Sequence, residues 1–370
     1  MAEKMNRKLV LQSGQTFYGA PFGAETDALC EIVFNTSMVG YQEISSDPSY
    51  VGQAVVMTYP LIGNYGMTDE DHEFRRACVG AMIVRDYNAQ PSNFRYAKTL
   101  SEILEENGIP GLSGVDTRQI TRILRQEGAQ PCLITHANTP ESECMARLGG
   151  YKAPHDHVAR VSCKRPWYAR TAKPLLNVVA IDCGLKSDII RRLSDRRVNV
   201  TVMPSTTTAE EVLAQKPDGL FISNGPGDPK DLPHLIQLIT AVRGRFPIFG
   251  ICLGCELIAL SYGADTYKMK TGHRGGNHPI RDLRSGLVEI CAQNHGYAID
   301  RDSLSGTDLL ETHQNLLDGT VEGISCAHDQ VYAVQYHPEN TAGPQGTASY
   351  FDDFVTLMLE NTEKEAANNA

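Results

Sequence analysis

Residues 247–263 read PIFGICLGCELIALSYG. The first five, from Pro247 to Ile251, form an apolar run of strand length and strand composition. After Cys252 come Glu256-Leu257-Ile258-Ala259-Leu260, good helix formers closed by Gly263. The stretch therefore predicts a cysteine at a strand-to-helix turn, with Gly250 two residues before it and Gly254 two after. Glycines at those positions let the chain turn sharply and pack closely, so the side chain between them stands at a sheet edge, as in a nucleophile elbow. A helix N-terminus also favours thiolate over thiol. Alone, the stretch fits a buried cysteine in an ordinary strand-to-helix turn as well as it fits a nucleophile.

The residues before it make that turn one of a series. An apolar run over 176–182 reads as a strand buried on both faces. A helix follows over 186–197, a strand over 198–202, and a helix over 208–215 whose Thr208 and Glu211 have capping-box spacing. A third strand over 219–223, a helix over 232–243 and the strand at 247–251 complete the alternation. Such a βαβα succession implies a doubly wound parallel sheet with helices on both faces, whose ligands bind beyond the carboxyl ends of the strands.

Two more loops should lie near Cys252. Ser223-Asn224-Gly225-Pro226-Gly227-Asp228-Pro229 follows the third strand, and Gly225 and Gly227 can bring backbone N–H groups close to a bound carbonyl, or simply form a tight turn. The loop lacks the Lys-Ser/Thr of a phosphate-binding motif, and no such motif occurs elsewhere in the chain. His337-Pro338-Glu339 ends a strand candidate over 331–336. A lone histidine there is ordinarily structural, but a carboxylate two residues on can fix its tautomer, as the third member of a triad does. Cys252, His337 and Glu339 thus form a testable constellation: a thiolate attacks an amide carbonyl, and the imidazole protonates the departing amine and then activates water. The backbone N–H groups of Leu253 and Gly225 are candidates for the oxyanion hole.

The first 150 residues follow no such alternation. Strands are expected over 8–11, 31–36, 54–58 and 81–85, with a polar turn at 45–49. Helices are expected over 99–107, with Thr99 or Ser101 as N-cap, and over 116–127, ended by Gly128. This mixture predicts a smaller α+β domain over 1–150. The arginines Arg118, Arg122 and Arg125 form a solvated face or dock a partner. Residues 151–174 are polar and proline-bearing and read as a linker, leaving 175–370 as the second domain. His155 and His157 flank Asp156 there without the further ligands a closed metal site needs.

The chain has 370 residues, enough for about two domains. A net charge of −10 with no basic run argues against nucleic acid or an anionic membrane as partner. No apolar stretch reaches the roughly 18 residues of a membrane span, and the N-terminal residues lack a signal-peptide core. Ten scattered cysteines suggest reduced thiols and a cytoplasmic protein.

FGICLG around Cys252, SNGPGDP at 223–229 and HPE at 337–339 resemble the signatures of class I glutamine amidotransferases. The chain is closer still to the small, glutamine-hydrolysing chains of carbamoyl-phosphate synthetase. KMKTGHRGGNHP at 268–279, QNHGYA at 293–298 and FNTSMVGYQEISSDPSY at 34–50 carry that resemblance, together with 115–118. It implies Cys252 as nucleophile, His337 as base, Glu339 as its orienting carboxylate, and Gly225 and Leu253 as oxyanion donors. It implies a glutamine pocket of Ser49, Gly225, Gly227, Leu253, the residue at 256, Asn294, Gly296 and Tyr297. It also implies a heterodimer in which ammonia passes to a large chain that uses ATP and Mg to make carbamoyl phosphate for arginine and pyrimidine synthesis, with no cofactor or metal in this chain.

Two residues depart from that pattern: Cys255 and Glu256 stand where the family usually has His-Gln. A carboxylate at 256 accepts hydrogen bonds but donates none, and its charge either repels the substrate carboxylate or pairs with its ammonium. An altered Michaelis constant, rather than lost activity, is expected. The departure leaves two alternatives, a non-catalytic regulatory subunit that kept the fold and a glutaminase serving another synthase. Cys252-x-x-Cys255 also has thioredoxin-like spacing, which raises redox chemistry or oxidative shut-off as a further reading. His273 and His278 fall in a glycine-rich loop over 272–279 and His295 in a turn, where packing or interface roles are expected; His313 and His328 have no partner identifiable from sequence.

Overall fold

The computed structural model describes residues 5–339 and 349–368, which form two compact units, Met1–Pro154 and His155–Ala370. The first unit is built on a closed barrel. Its strands run, around the barrel, Arg7–Leu11, Thr16–Gly23, Pro110–Ser113, Ala81–Ile83, Gln53–Met57, Ala28–Asn35 and Gln130–His136, which pairs back onto the first. Leu9, Leu11, Ile32, Val56 and Ile134 join one apolar cluster, while Val33, Val55 and Met82 join another, as the two-residue period of strands requires.

Helix Leu100–Glu106 carries a full capping box between Thr99 and Glu102, which selects Thr99 over Ser101 as N-cap. Helix Thr117–Glu127 is capped by the Asp116 side chain, buries Ile120 and Leu124, and stops at Gly128 with φ 99°. The expected turn at 45–49 is instead a helix, Tyr41–Ser46, followed by a 3-10 turn, Pro48–Tyr50. Ser45 and Ser46 direct their hydroxyls to the Gln42 carbonyl, both at 2.9 Å, so they are satisfied inside the protein and need no solvent. Strands Thr16–Gly23, Pro110–Ser113 and Gln130–His136 were not among those expected. A Cβ on Gly19 would lie 2.3 Å from the Ser113 carbonyl, so the glycine serves close strand approach.

The second unit is one ten-stranded sheet. Five strands form its parallel centre, in the order Val198–Pro204, Leu176–Asp182, Gly219–Ile222, Ile248–Ile251 and Val331–Val334. Val179, Ile181, Leu220 and Ile222 face helices Pro233–Val242 and Leu253–Ser261. Val178, Ala180, Phe221 and Phe249 face helices Ser187–Asp195 and Ser349–Asn368. Both faces are covered, which explains the near-continuous apolar strands. The doubly wound expectation therefore holds for this unit, and Thr208 and Glu211 make the expected capping box on helix Ala209–Ala214.

Residues 155–174 carry a short helix, His157–Val161, and a strand, Trp167–Ala169, that pairs antiparallel with Val198–Pro204. At the opposite side of the sheet, Val321–Cys326 and Leu310–Asn315 lead to a long hairpin of Thr266–Asp282 and Val288–Ile299. His273, His278 and His295 are thus strand residues, against the expectation of loop and turn. Register shifts lie between Lys268 and His273 and between Gly275 and His278, with Gly272 at φ 65°, so these glycines mark bulges. Among the described residues, no helix is long and apolar enough to cross a membrane.

Candidate active site

Cys252 is the junction between strand Ile248–Ile251 and helix Leu253–Ser261, at φ 55° and ψ −109°. A positive φ at a residue with a Cβ costs about 1–3 kcal/mol and persists only where its surroundings impose it. The two glycines impose it here. A Cβ on Gly254 would meet the Ile222 carbonyl oxygen at 2.2 Å, and one on Gly250 would meet Gly254 backbone at 2.8 Å. The Cys252 N–H donates to the Val334 carbonyl at 2.9 Å, tying the elbow to the next parallel strand. The sulfur is buried, 3.6 Å from the Asn294 carbonyl oxygen.

His337 lies just beyond that next strand, and its N–H donates to the Ala292 carbonyl at 2.9 Å. Ala292 and Asn294 are two residues apart on strand Val288–Ile299, so one strand holds both the sulfur and the histidine backbone, about 7 Å apart along the chain. Thiol and imidazole therefore sit at one end of the sheet. His337 Nδ1 is 2.8 Å from Glu339 Oε1. With that nitrogen donating, Nε2 carries the lone pair, and it has no hydrogen-bond partner among the described residues although buried. This is the arrangement a general base requires.

Glu339 is fully buried and paired with Lys186, whose Nζ is 3.0 Å from Oε1. Burial alone would raise the carboxyl, but the Lys186 ammonium and then His337 outweigh it and bring it down to about 2. The carboxylate is thus charged at any working pH. Sequence reasoning missed Lys186. Its signal is a lone lysine just past the end of the first parallel strand, where ligand-facing loops collect.

The loop after strand Gly219–Ile222 closes against the elbow. A Cβ on Gly225 would lie 2.3 Å from the Cys183 carbonyl oxygen and 2.8 Å from Leu253 Cδ2, so only glycine fits and the loop touches Leu253. Leu253 opens its helix, so its N–H has no intrahelical acceptor. Gly227, at φ 96°, packs on the His157 ring. Of the other expected pocket residues, Asn294, Gly296 and Tyr297 all lie on strand Val288–Ile299. Ser49 belongs to the first unit, where its N–H is capped by Asp47 Oδ1 at 2.9 Å.

Glu256 is a further buried carboxyl. It is 3% exposed, in the first turn of the Cys252 helix, and its Oε1 accepts from Gln335 Nε2 at 3.0 Å. Burial pushes the carboxyl up to about 8, with Gln335 opposing and the Asp228 charge adding to it. The helix N-terminus pulls the other way, but a helix end contributes about 0.3–2 kcal/mol, whereas burying an unpaired ion costs several. A carboxyl pushed up in this way favours the neutral acid, which donates one hydrogen bond where a carboxylate donates none. Cys255 packs into the core on the opposite face of the sheet from the cluster holding Cys252, and burial pushes its thiol well up. This is a structural cysteine, unsuited to thiol exchange.

His273, His295 and Glu322 bring one donor atom each within 4.8 Å of one another, the only such metal-type grouping among the described residues. The nitrogens of both histidines are already engaged. His273 Nε2 is 3.0 Å from Asp318 and its Nδ1 3.5 Å from Glu322; His295 bonds the Tyr297 carbonyl and the Gln293 side chain, both at 2.7 Å. His155 pairs with Asp231 at 2.8 Å, and His313 Nε2 with the Tyr350 hydroxyl at 2.7 Å.

Comparison with known proteins agrees with both units. Residues 9–134 match the family model described as carbamoyl-phosphate synthase small chain, CPSase domain, and residues 179–357 the model described as glutamine amidotransferase class-I. The chain is 49% identical to the carbamoyl phosphate synthase small chain of Bacillus caldolyticus, over 97% of this chain and 98% of that one. It is 48% identical to that of Staphylococcus epidermidis over the full length of both, and 49% identical to that of Staphylococcus haemolyticus over 98% and 99%. With an elbow cysteine, an oriented histidine and full-length similarity of this degree, the chain belongs to the carbamoyl phosphate synthase small chain family.

Proposed function

We propose that this chain hydrolyses the side-chain amide of L-glutamine to glutamate and ammonia, as the glutaminase subunit of a carbamoyl-phosphate synthetase. The observation that carries the reading is His337, oriented through Nδ1 by a charged, buried Glu339, with Nε2 unpartnered among the described residues at the sheet end that holds Cys252. The Cys252 thiol passes its proton to His337 Nε2 and the resulting thiolate attacks the amide carbon, the oxyanion being received by the N–H groups of Leu253 and Gly225. His337 delivers the proton to the leaving ammonia, then takes one from water as it attacks the thioester. Glu339 stabilises the imidazolium formed in each half-reaction without taking the proton itself. Asn294, Gly296, Tyr297, Gly227 and Glu256 line the glutamine pocket.

Ammonia is handed to a large partner chain that carries ATP and Mg and forms carbamoyl phosphate for arginine and pyrimidine synthesis. A chain with no phosphate-binding motif of its own is consistent with that division of labour. A cytoplasmic setting is supported by ten free cysteines, nine of them buried. The test is ammonia release from glutamine by the wild type and Cys252→Ser, alone and with a co-expressed large chain. Release that vanishes in Cys252→Ser and rises several-fold with ATP and bicarbonate is expected. Release that survives in Cys252→Ser refutes the mechanism, and indifference to the large chain refutes the coupling.

A further inference from the structure

Glu256 is a buried carboxyl that no cation neutralises among the described residues. Its acting neighbours belong to the two loops that complete the site: Gln335 stands two residues before His337, and Asp228 follows Gly225 and Gly227. Glu256 itself lies four residues after Cys252, in the first turn of the helix that begins beyond that cysteine. Only Oε1 is engaged; Oε2 makes no hydrogen bond among the described residues. The cations on neighbouring elements are committed elsewhere. Lys230 is paired with Asp265 at 2.6 Å and also donates to the Thr266 carbonyl. The His273 imidazole is held by Asp318 and Glu322, and burial keeps His295 neutral. Arg274 donates to the Thr271 carbonyl at 2.6 Å. Lys186 and His337, on the far side of the Cys252 elbow, converge on Glu339. What remains for Glu256 is a like charge, Asp228.

We propose that Glu256 is a positioning residue held as the neutral carboxylic acid, with Oε1 locked by Gln335 and the proton on Oε2 donated to the bound amino acid, so that substrate affinity depends on a proton that an amide at this place would not need. The proposal rests on the glutaminase reading above. Loss of that proton replaces a donor with a charge, and the charge falls beside Asp228 with no cation to receive it. The carboxyl, pushed up to about 8, loses its proton within the range where the enzyme can be assayed. A glutaminase with this residue therefore weakens its hold on substrate in mild alkali, while the Cys252 chemistry continues.

The experiment compares wild type with Glu256→Gln from pH 6.5 to 9.5, reading KM and kcat separately for ammonia release. If only the acid form binds well, KM of the wild type rises about tenfold between pH 7 and pH 9 relative to the variant, with little separation in kcat. Isotope-edited difference infrared spectroscopy of the two proteins without substrate supplies the second measurement. A neutral-carboxyl band present in wild type at pH 7, absent from the variant and lost by pH 9.5, is expected. Parallel KM profiles, or a carboxylate signature already present at pH 7, overturn the proposal. The infrared arm needs no turnover, so a wild type without glutaminase activity, which defeats the functional reading, is distinguishable from failure of this one.

Discussion

Replacing Lys186 by methionine tests the charge arrangement behind the base. The ammonium is 3.0 Å from Glu339 Oε1, with both side chains at or below 5% exposure, and it is the largest influence lowering that carboxyl. Bringing a carboxyl from an ordinary 4.5 down to about 2 corresponds to about 3 kcal/mol of preference for the charged form. That agrees with the roughly 3–5 kcal/mol lost when one partner of a buried pair is removed. In Lys186→Met the desolvation penalty is no longer opposed by its main counterweight, so Glu339 rises and takes up a proton in or near the working range. A neutral Glu339 no longer stabilises the His337 imidazolium, and kcat should fall by about 10²-fold or more, with KM little changed because Lys186 contacts the carboxylate. Stability follows with a definite sign. A depressed carboxyl contributes stability that is present above about 4.5 and lost as pH falls through about 2. The variant should therefore be less stable than wild type by about 3 kcal/mol at pH 7 in urea unfolding, the gap closing toward pH 2. Ammonia-release kinetics and urea unfolding at both pH values check this. A kcat within threefold of wild type, or a stability gap as wide at pH 2 as at pH 7, would refute the reasoning.

Three further outcomes follow from the geometry. Gly254→Ala places a Cβ 2.2 Å from the Ile222 carbonyl, so a loss of about 2 kcal/mol or more in unfolding free energy, with glutaminase activity falling alongside, is expected; an unchanged urea midpoint would contradict the elbow packing. Thr208→Ala removes the cap that meets the Glu211 N–H at 3.3 Å, and about 1 kcal/mol of stability should go with no change in kinetics, read by thermal melts. Cys255→Ser should leave the response of activity to a disulfide-forming oxidant unchanged, since Cys255 is buried in an apolar cluster separate from that of Cys252 and burial pushes its thiol well up; protection by the substitution would mean that the two thiols can meet.

Much of this was legible because it is local. The capping boxes at Thr99 and Thr208, the Asp116 cap and the helix stop at Gly128 depend on residues within a few positions of each other. The elbow was legible for the same reason, since Gly250, Cys252 and Gly254 make the turn among themselves and one carbonyl of the neighbouring strand. Where glycine served strand-to-strand contact instead, as at Gly272, the glycine-rich stretch pointed to a loop and the long hairpin was missed; the barrel strands with Gly19 and Gly111 were missed as well. The electrostatics at the site were the least legible part. Glu339 and Glu256 are both buried glutamates, one past the end of a strand and one in the first turn of a helix, and nothing near either in sequence separates them. Their protonation diverges because Lys186, 153 residues away, reaches one of them, whereas the other meets Gln335 and Asp228. A charge held by a distant cation and a proton held by its absence are consequences of strand order. Strand order is therefore the step at which the pattern of this sequence becomes an acid, a base and a nucleophile in one place.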